Sequence, residues 1–148
     1  MMSTYLSLHY HVVFSTKNRV PCLDRKWRDQ LHSYMGGTIK GLGGFPQNTG
    51  GWNDHVHLLF GLKATHVLSD IVRELKKAST VWLRDEVGLR NFHWQEGYAA
   101  FTVSHREREM IRSYIDRQEE HHGTRTYKEE LLSLLADHGV EYDLKYFV

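Results

Sequence analysis

Three short stretches hold the side chains that chemistry would use. In NDHVHLLFG, residues 53–61, two histidines, His55 and His57, are set into an apolar run. Successive side chains of a strand point to opposite faces, so His55 and His57 share one face and Val56 and Leu58 the other. Same-face neighbours are about 7 Å apart, close enough for two imidazoles to lean toward one ion through bonds of roughly 2 Å. Further on, YIDRQ sets Tyr114 and Gln118 four residues apart, one helical turn over the other. Gln118 offers a neutral amide oxygen as a third ligand, and Tyr114 would then hold its phenol beside the ion. His121 and His122 continue that face as rival ligands, proton carriers or phosphate contacts. The plainer alternatives are a pair of hydrogen-bonded histidines on a polar sheet face and a core tyrosine with its hydroxyl at the rim. The residue types alone leave both open.

These stretches need elements to hold them. Residues 4–16, TYLSLHYHVVFST, alternate with period two and predict a first strand that carries His9 and His11 on one face. Asp24 can cap a helix whose stripe runs through Trp27, Leu31, Tyr34 and Met35 and ends in the glycines from Gly41 onward. Two strands, about 44–52 and 54–62, read as an antiparallel pair. A helix follows, with Val67, Ile71, Leu75, Ala78 and Trp82 at helical spacing and Gly88 to stop it. A fourth strand near 98–103, a tyrosine-bearing helix over about 106–122, and a C-terminal helix and tail over 127–148 complete the chain.

The order β-α-β-β-α-β predicts a ferredoxin-like, RRM-like α+β fold: an antiparallel sheet with helices on one face, plus C-terminal helices. In that topology the first and third strands are central, so His9 and His11 are expected beside His55 and His57. The 148 residues fit one domain, expected to span 1–148. No stretch approaches the ~20 apolar residues of a membrane span, and the alternating start does not read as a signal peptide. Cys22 is the only cysteine, which excludes an internal disulfide framework and a cysteine-based zinc site. A cytoplasmic protein is the expectation.

Charge is uneven. Residues 1–115 hold 15 Lys and Arg against 10 Asp and Glu, whereas residues 116–148 hold 4 against 8. A basic body permits nucleic-acid binding, with Lys17 and Arg19 after the first strand and Arg73, Lys76, Lys77 and Arg84 on the middle helix as candidate phosphate contacts. Trp52, Phe92 and Trp94 are candidates for stacking on unpaired bases, with core packing the commoner role for such residues. Eleven histidines are an excess that points to metal or proton chemistry.

Four segments, YHVVFSTKNRVP, DHVHLLF, SDIVRELKKAST and IRSYIDRQEEHH, together resemble the single-tyrosine HUH transposases of the insertion sequence 200/605 type, including the repeat-associated tyrosine transposases. The resemblance runs in the same order from about residue 5 to the C-terminus. It implies that His55, His57 and Gln118 bind a divalent ion, Mg²⁺ or Mn²⁺, and that Tyr114 is the nucleophile. It further implies a substrate of single-stranded DNA with hairpin ends, a 5′-phosphotyrosine intermediate, and a homodimer in which the tyrosine helix can act in trans. A non-catalytic single-strand-binding module derived from such an enzyme is the alternative. A two-histidine phosphoesterase fits poorly, because Leu59 stands where its motif needs Ser or Thr.

Overall fold

The structure is a computed structural model that describes residues 3–143; the last five residues of the expected tail lie outside the described residues. Four antiparallel strands form the sheet, β1 (His9–Ser15), β2 (Phe45–Gly51), β3 (His55–Gly61) and β4 (Ala99–Val103), in the order β2-β3-β1-β4. β1 and β3 are central, as the split topology requires. The alternation before His9 does not continue the strand. His9 is opposite both Gly61 and Val103, the ends of its two neighbours; Leu8 still accepts from Leu62 N at 3.0 Å, and Tyr5 beyond it is 91% exposed.

One face of the sheet is a hydrophobic core. Val12 and Phe14 of β1 and Val56, Leu58 and Phe60 of β3 meet α1 (Arg25–Gly41) and α2 (Leu68–Trp82). α1 starts where the Asp24 carboxylate accepts from the Lys26 amide at 2.9 Å, and it buries Leu31, Met35 and Ile39 at four-residue spacing. Trp27 and Tyr34, expected in that stripe, sit at its margin, where Tyr34 stacks on Trp82 with centroids 5.6 Å apart. α2 runs into a wider turn, Leu83–Val87, and ends at Gly88, whose φ of 92° suits glycine.

The opposite face carries His11, Val13, His55, His57 and Leu59, and the C-terminal helices cover it. The helix expected over 106–122 is interrupted. A turn at His105–Glu107, capped by Ser104, leads into α3 (Arg108–Asp116). The chain then breaks at Arg117 (φ −99°, ψ 24°) and resumes as α4 (Gln118–His122). α5 (Tyr127–Asp137) opens on a Thr126–Glu129 capping box and packs Tyr127 and Leu135 against Val13 and Phe101. Covered on both sides, β3 has all seven residues buried, His55 and His57 included.

Candidate metal and tyrosine centre

Each β3 histidine is oriented from behind. His55 Nδ1 is 2.7 Å from Asp54 Oδ1, and His57 Nδ1 is 2.7 Å from His11 Nε2 on the neighbouring strand. Both therefore present Nε2 to the space between the sheet and the C-terminal helices, the arrangement by which outer partners set ligand tautomers. Of the two β1 histidines expected nearby, His11 joins the group. His9 lies at the far end of the strand, on Gln47 at 3.0 Å.

Glu130 of α5 enters this space fully buried. Its Oε1 lies 2.9 Å from His57 Nε2, 3.1 Å from His122 Nε2 and 3.3 Å from His55 Nε2. Its Oε2 accepts from the Tyr114 hydroxyl and from Gln118 Nε2, the latter at 3.1 Å. Gln118 Oε1 lies 3.1 Å from His55 Nε2, and Arg125 Nη2 donates to the Tyr114 oxygen at 3.2 Å. Segments far apart in sequence thus meet at one carboxylate within one chain.

The electrostatics follow. Burial would raise the Glu130 pKa, but hydrogen bonds from His122, His55 and His57 hold it far below the usual carboxylate range. Burial opposes charge on His55 too, yet Asp54 and Glu130 keep its pKa above the ordinary value. Both ring nitrogens of His55 face carboxylates, Nδ1 towards Asp54 and Nε2 towards Glu130. Burial takes His57 down to about 4, so it is neutral at pH 7 and its ring can serve as a ligand. Burial raises the Tyr114 phenol, and the adjacent Glu130 carboxylate raises it further.

The donor set fits a divalent cation. Among the described residues, His55, His122 and Glu130 each offer an atom within 4.8 Å of the others'. His57 and Gln118 touch members of that triad. Beside the expected His55, His57 and Gln118, His122 of the rival pair and Glu130 reach the same space, while His121 packs its ring on Tyr114, centroids 4.5 Å apart. Three imidazoles with one carboxylate and one amide suit Mn²⁺ better than Mg²⁺, which favours oxygen ligands and water. Glycines permit the close approach: a Cβ on Gly50 would meet the Ile115 carbonyl oxygen at 2.7 Å, and one on Gly51 would overlap that of His55.

The expected DNA contacts separate. Arg73, Lys76 and Lys77 lie on α2, across the sheet from the histidines. Lys76 donates to the carbonyls of Gln95 (2.8 Å) and Gly97 (2.7 Å), and burial lowers its pKa to about 8, so it anchors that loop. Arg73 pairs with Asp70 at 2.9 Å. Phe92 and Trp94 belong to the core, and Trp52 packs between Arg28 and His122. Lys17 and Arg19 remain on the turn after β1, close to Asp54: Thr16 N donates to the Asp54 carbonyl at 2.8 Å. Among the described residues, no helix is long and apolar enough to cross a membrane.

Sheet and centre together define an α+β protein with a histidine pair on a central strand, covered by a tyrosine on α3 and a glutamine on α4. A family model described as "Transposase IS200 like" matches residues 4–118, and the chain belongs to that family. The match ends at Gln118, so His122 and Glu130 lie beyond it. Among solved structures, a "putative transposase" of Deinococcus radiodurans R1 is 28% identical, with a TM-score of 0.59 over 80% of this chain and 96% of its own. A REP-associated tyrosine transposase bound to a REP hairpin shares the fold at 19% identity, with a TM-score of 0.60 over 82% of this chain and 75% of that one. A comparison with curated proteins returned no match.

Proposed function

We propose that this transposase cleaves and rejoins single-stranded DNA at hairpin-bearing ends, with Tyr114 as the nucleophile and a divalent ion held by His55, His57, His122, Gln118 and Glu130. The observation that carries the reading is the meeting of the Tyr114 hydroxyl and three histidine Nε2 atoms on the single carboxylate of Glu130. A bound Mn²⁺ or Mg²⁺ would withdraw charge from the scissile phosphate and orient it.

The chain's own groups supply the rest. Glu130 Oε2 accepts from the phenol and so orients its oxygen, and Arg125 donates to that oxygen at 3.2 Å and would offset negative charge developing on it. The Tyr114 oxygen bonds to phosphorus, the P–O3′ bond breaks, and a 3′-OH leaves with a proton. The phosphotyrosine keeps the energy of the broken linkage, so another 3′-OH can attack it and restore the phenol without ATP. Tyr127 also lies at the centre, 4.6 Å from the His55 ring, but its hydroxyl turns away to Gln95 at 3.4 Å, which favours Tyr114. One chain brings every group together, which supports cleavage in cis.

The test is incubation with hairpin-bearing single-stranded DNA and Mn²⁺, followed by a denaturing gel. A covalent adduct lost in Tyr114→Phe and kept in Tyr127→Phe and Tyr98→Phe is the expected result. Binding without any adduct would leave a non-catalytic single-strand-binding module.

A further inference from the structure

A cavity of about 340 Å³ opens between the turn at residues 16–22 and the loop at 89–93. Its apolar lining comes from Leu89, the buried Phe92, Cys22 and the half-exposed Val20. Its polar lining includes two cations, Lys17 and Arg90, and two amides, Asn18 and Asn91, and no lining residue is acidic. The two walls are tied where Lys17 N donates to the His93 carbonyl at 2.9 Å.

This cavity adjoins the centre. Ser15 pairs with His55 across the sheet, and the next residue, Thr16, bonds to the Asp54 carbonyl and lines the cavity. The turn is also unusual. Asn18 and Arg19 both have positive φ, 58° and 55°, a region that residues with a Cβ adopt at a cost and that tends to mark functional turns. Arg19 Nη1 is buried without a hydrogen-bond partner, and its charge acts on the Tyr127 phenol beside His55.

We propose that the cavity receives one unpaired nucleobase of the DNA strand next to the scissile phosphate, while Lys17, Arg19 and Arg90 hold the flanking phosphates. The proposal rests on the single-strand reading above. An apolar lining accepts the face of any base, amides can both donate to and accept from its edge, and guanidinium and ammonium groups match the backbone. Single-strand recognition generally splays bases into such sites.

The test uses the full chain and hairpin-bearing oligonucleotides with one abasic residue stepped through the positions flanking the nick. One position should weaken Kd by roughly five- to hundredfold, the loss expected for one stacked base. In Val20→Asp, a change at a half-exposed wall residue, that penalty should vanish, because intact DNA then binds as weakly as abasic DNA. Asn91→Ala should alter which base is preferred there. A flat abasic scan in wild-type protein that still binds and forms the Tyr114 adduct would overturn the pocket and leave the enzyme reading standing. So would a penalty unchanged in Val20→Asp. Absence of both binding and adduct would instead remove the single-strand reading, and the pocket with it.

Discussion

Replacing Glu130 with glutamine keeps volume and shape while removing one charge from the middle of the centre. Glu130 is 0% exposed and accepts from three imidazoles, one phenol and one amide. A glutamine carbonyl can still accept, but its NH₂ must face a donor on the other side. Hydrogen bonds to a charged group contribute about 1.5–3 kcal/mol each, and they are not additive. Removing one member of a buried hydrogen-bonded ionic group costs about 3–5 kcal/mol, because the buried imidazoles of His55, His57 and His122 lose their shared anionic acceptor. For a protein near this size, each kcal/mol moves Tm by roughly 2–4 °C. Glu130→Gln should therefore lower Tm by roughly 6–20 °C. The assay is thermal unfolding followed by circular dichroism at pH 7.5 in excess chelator, so that metal affinity does not enter. Glu129→Gln, at the exposed neighbour, is the control. A shift of Tm within ~2 °C of wild type would refute the premise that Glu130 is the ionised hub of the buried histidines.

Acidification should weaken the metal-free protein between pH 6.5 and about 4. His57 takes up its proton near 6.5 when unfolded and only near 4 when folded, so the unfolded state binds more protons in that window and stability falls with pH, by roughly 3 kcal/mol from this residue. His11 and His32, both lowered chiefly by burial, act in the same sense, while His55, raised, opposes them; urea titrations at several pH values read the sum. On the proposed cis reading, mixing His57→Ala with Tyr114→Phe chains should give no DNA–protein adduct; restored cleavage would show exchange of the tyrosine helix between subunits. Gly51→Ala should destabilise by about 1–3 kcal/mol and reduce Mn²⁺ binding measured by calorimetry, because the new methyl overlaps the His55 carbonyl.

Much of this architecture is local chemistry and was legible in the chain. Period-two alternation marked β1, a short apolar run with two histidines set into it marked β3, and helical spacing with Asp24 and Gly88 at the ends marked α1 and α2. Once that order was known, right-handed twist and short connections left the first and third strands central, which is why His11 meets His57. The pairing of Tyr114 with Gln118 was readable for the same reason, although the break at Arg117 was not: nothing in IDRQEE signals a turn.

What the chain did not reveal is which polar residue goes inside. Glu130 stands in an acidic amphipathic helix, YKEELLSLLAD, beside the exposed Glu129, and its letters give no reason to bury it. A carboxylate leaves water only where enough donors await it, and those donors come from β3, α3 and α4. Likewise, Lys76 reads as a phosphate contact on a helix face until the Gln95–Gly97 carbonyls close around it. Residue type and period determined the histidine pair, the strands and the helices, because those follow from neighbours in sequence. Whether a charge ends up buried, and with whom, depends on groups far along the chain, so only the tertiary structure decided it.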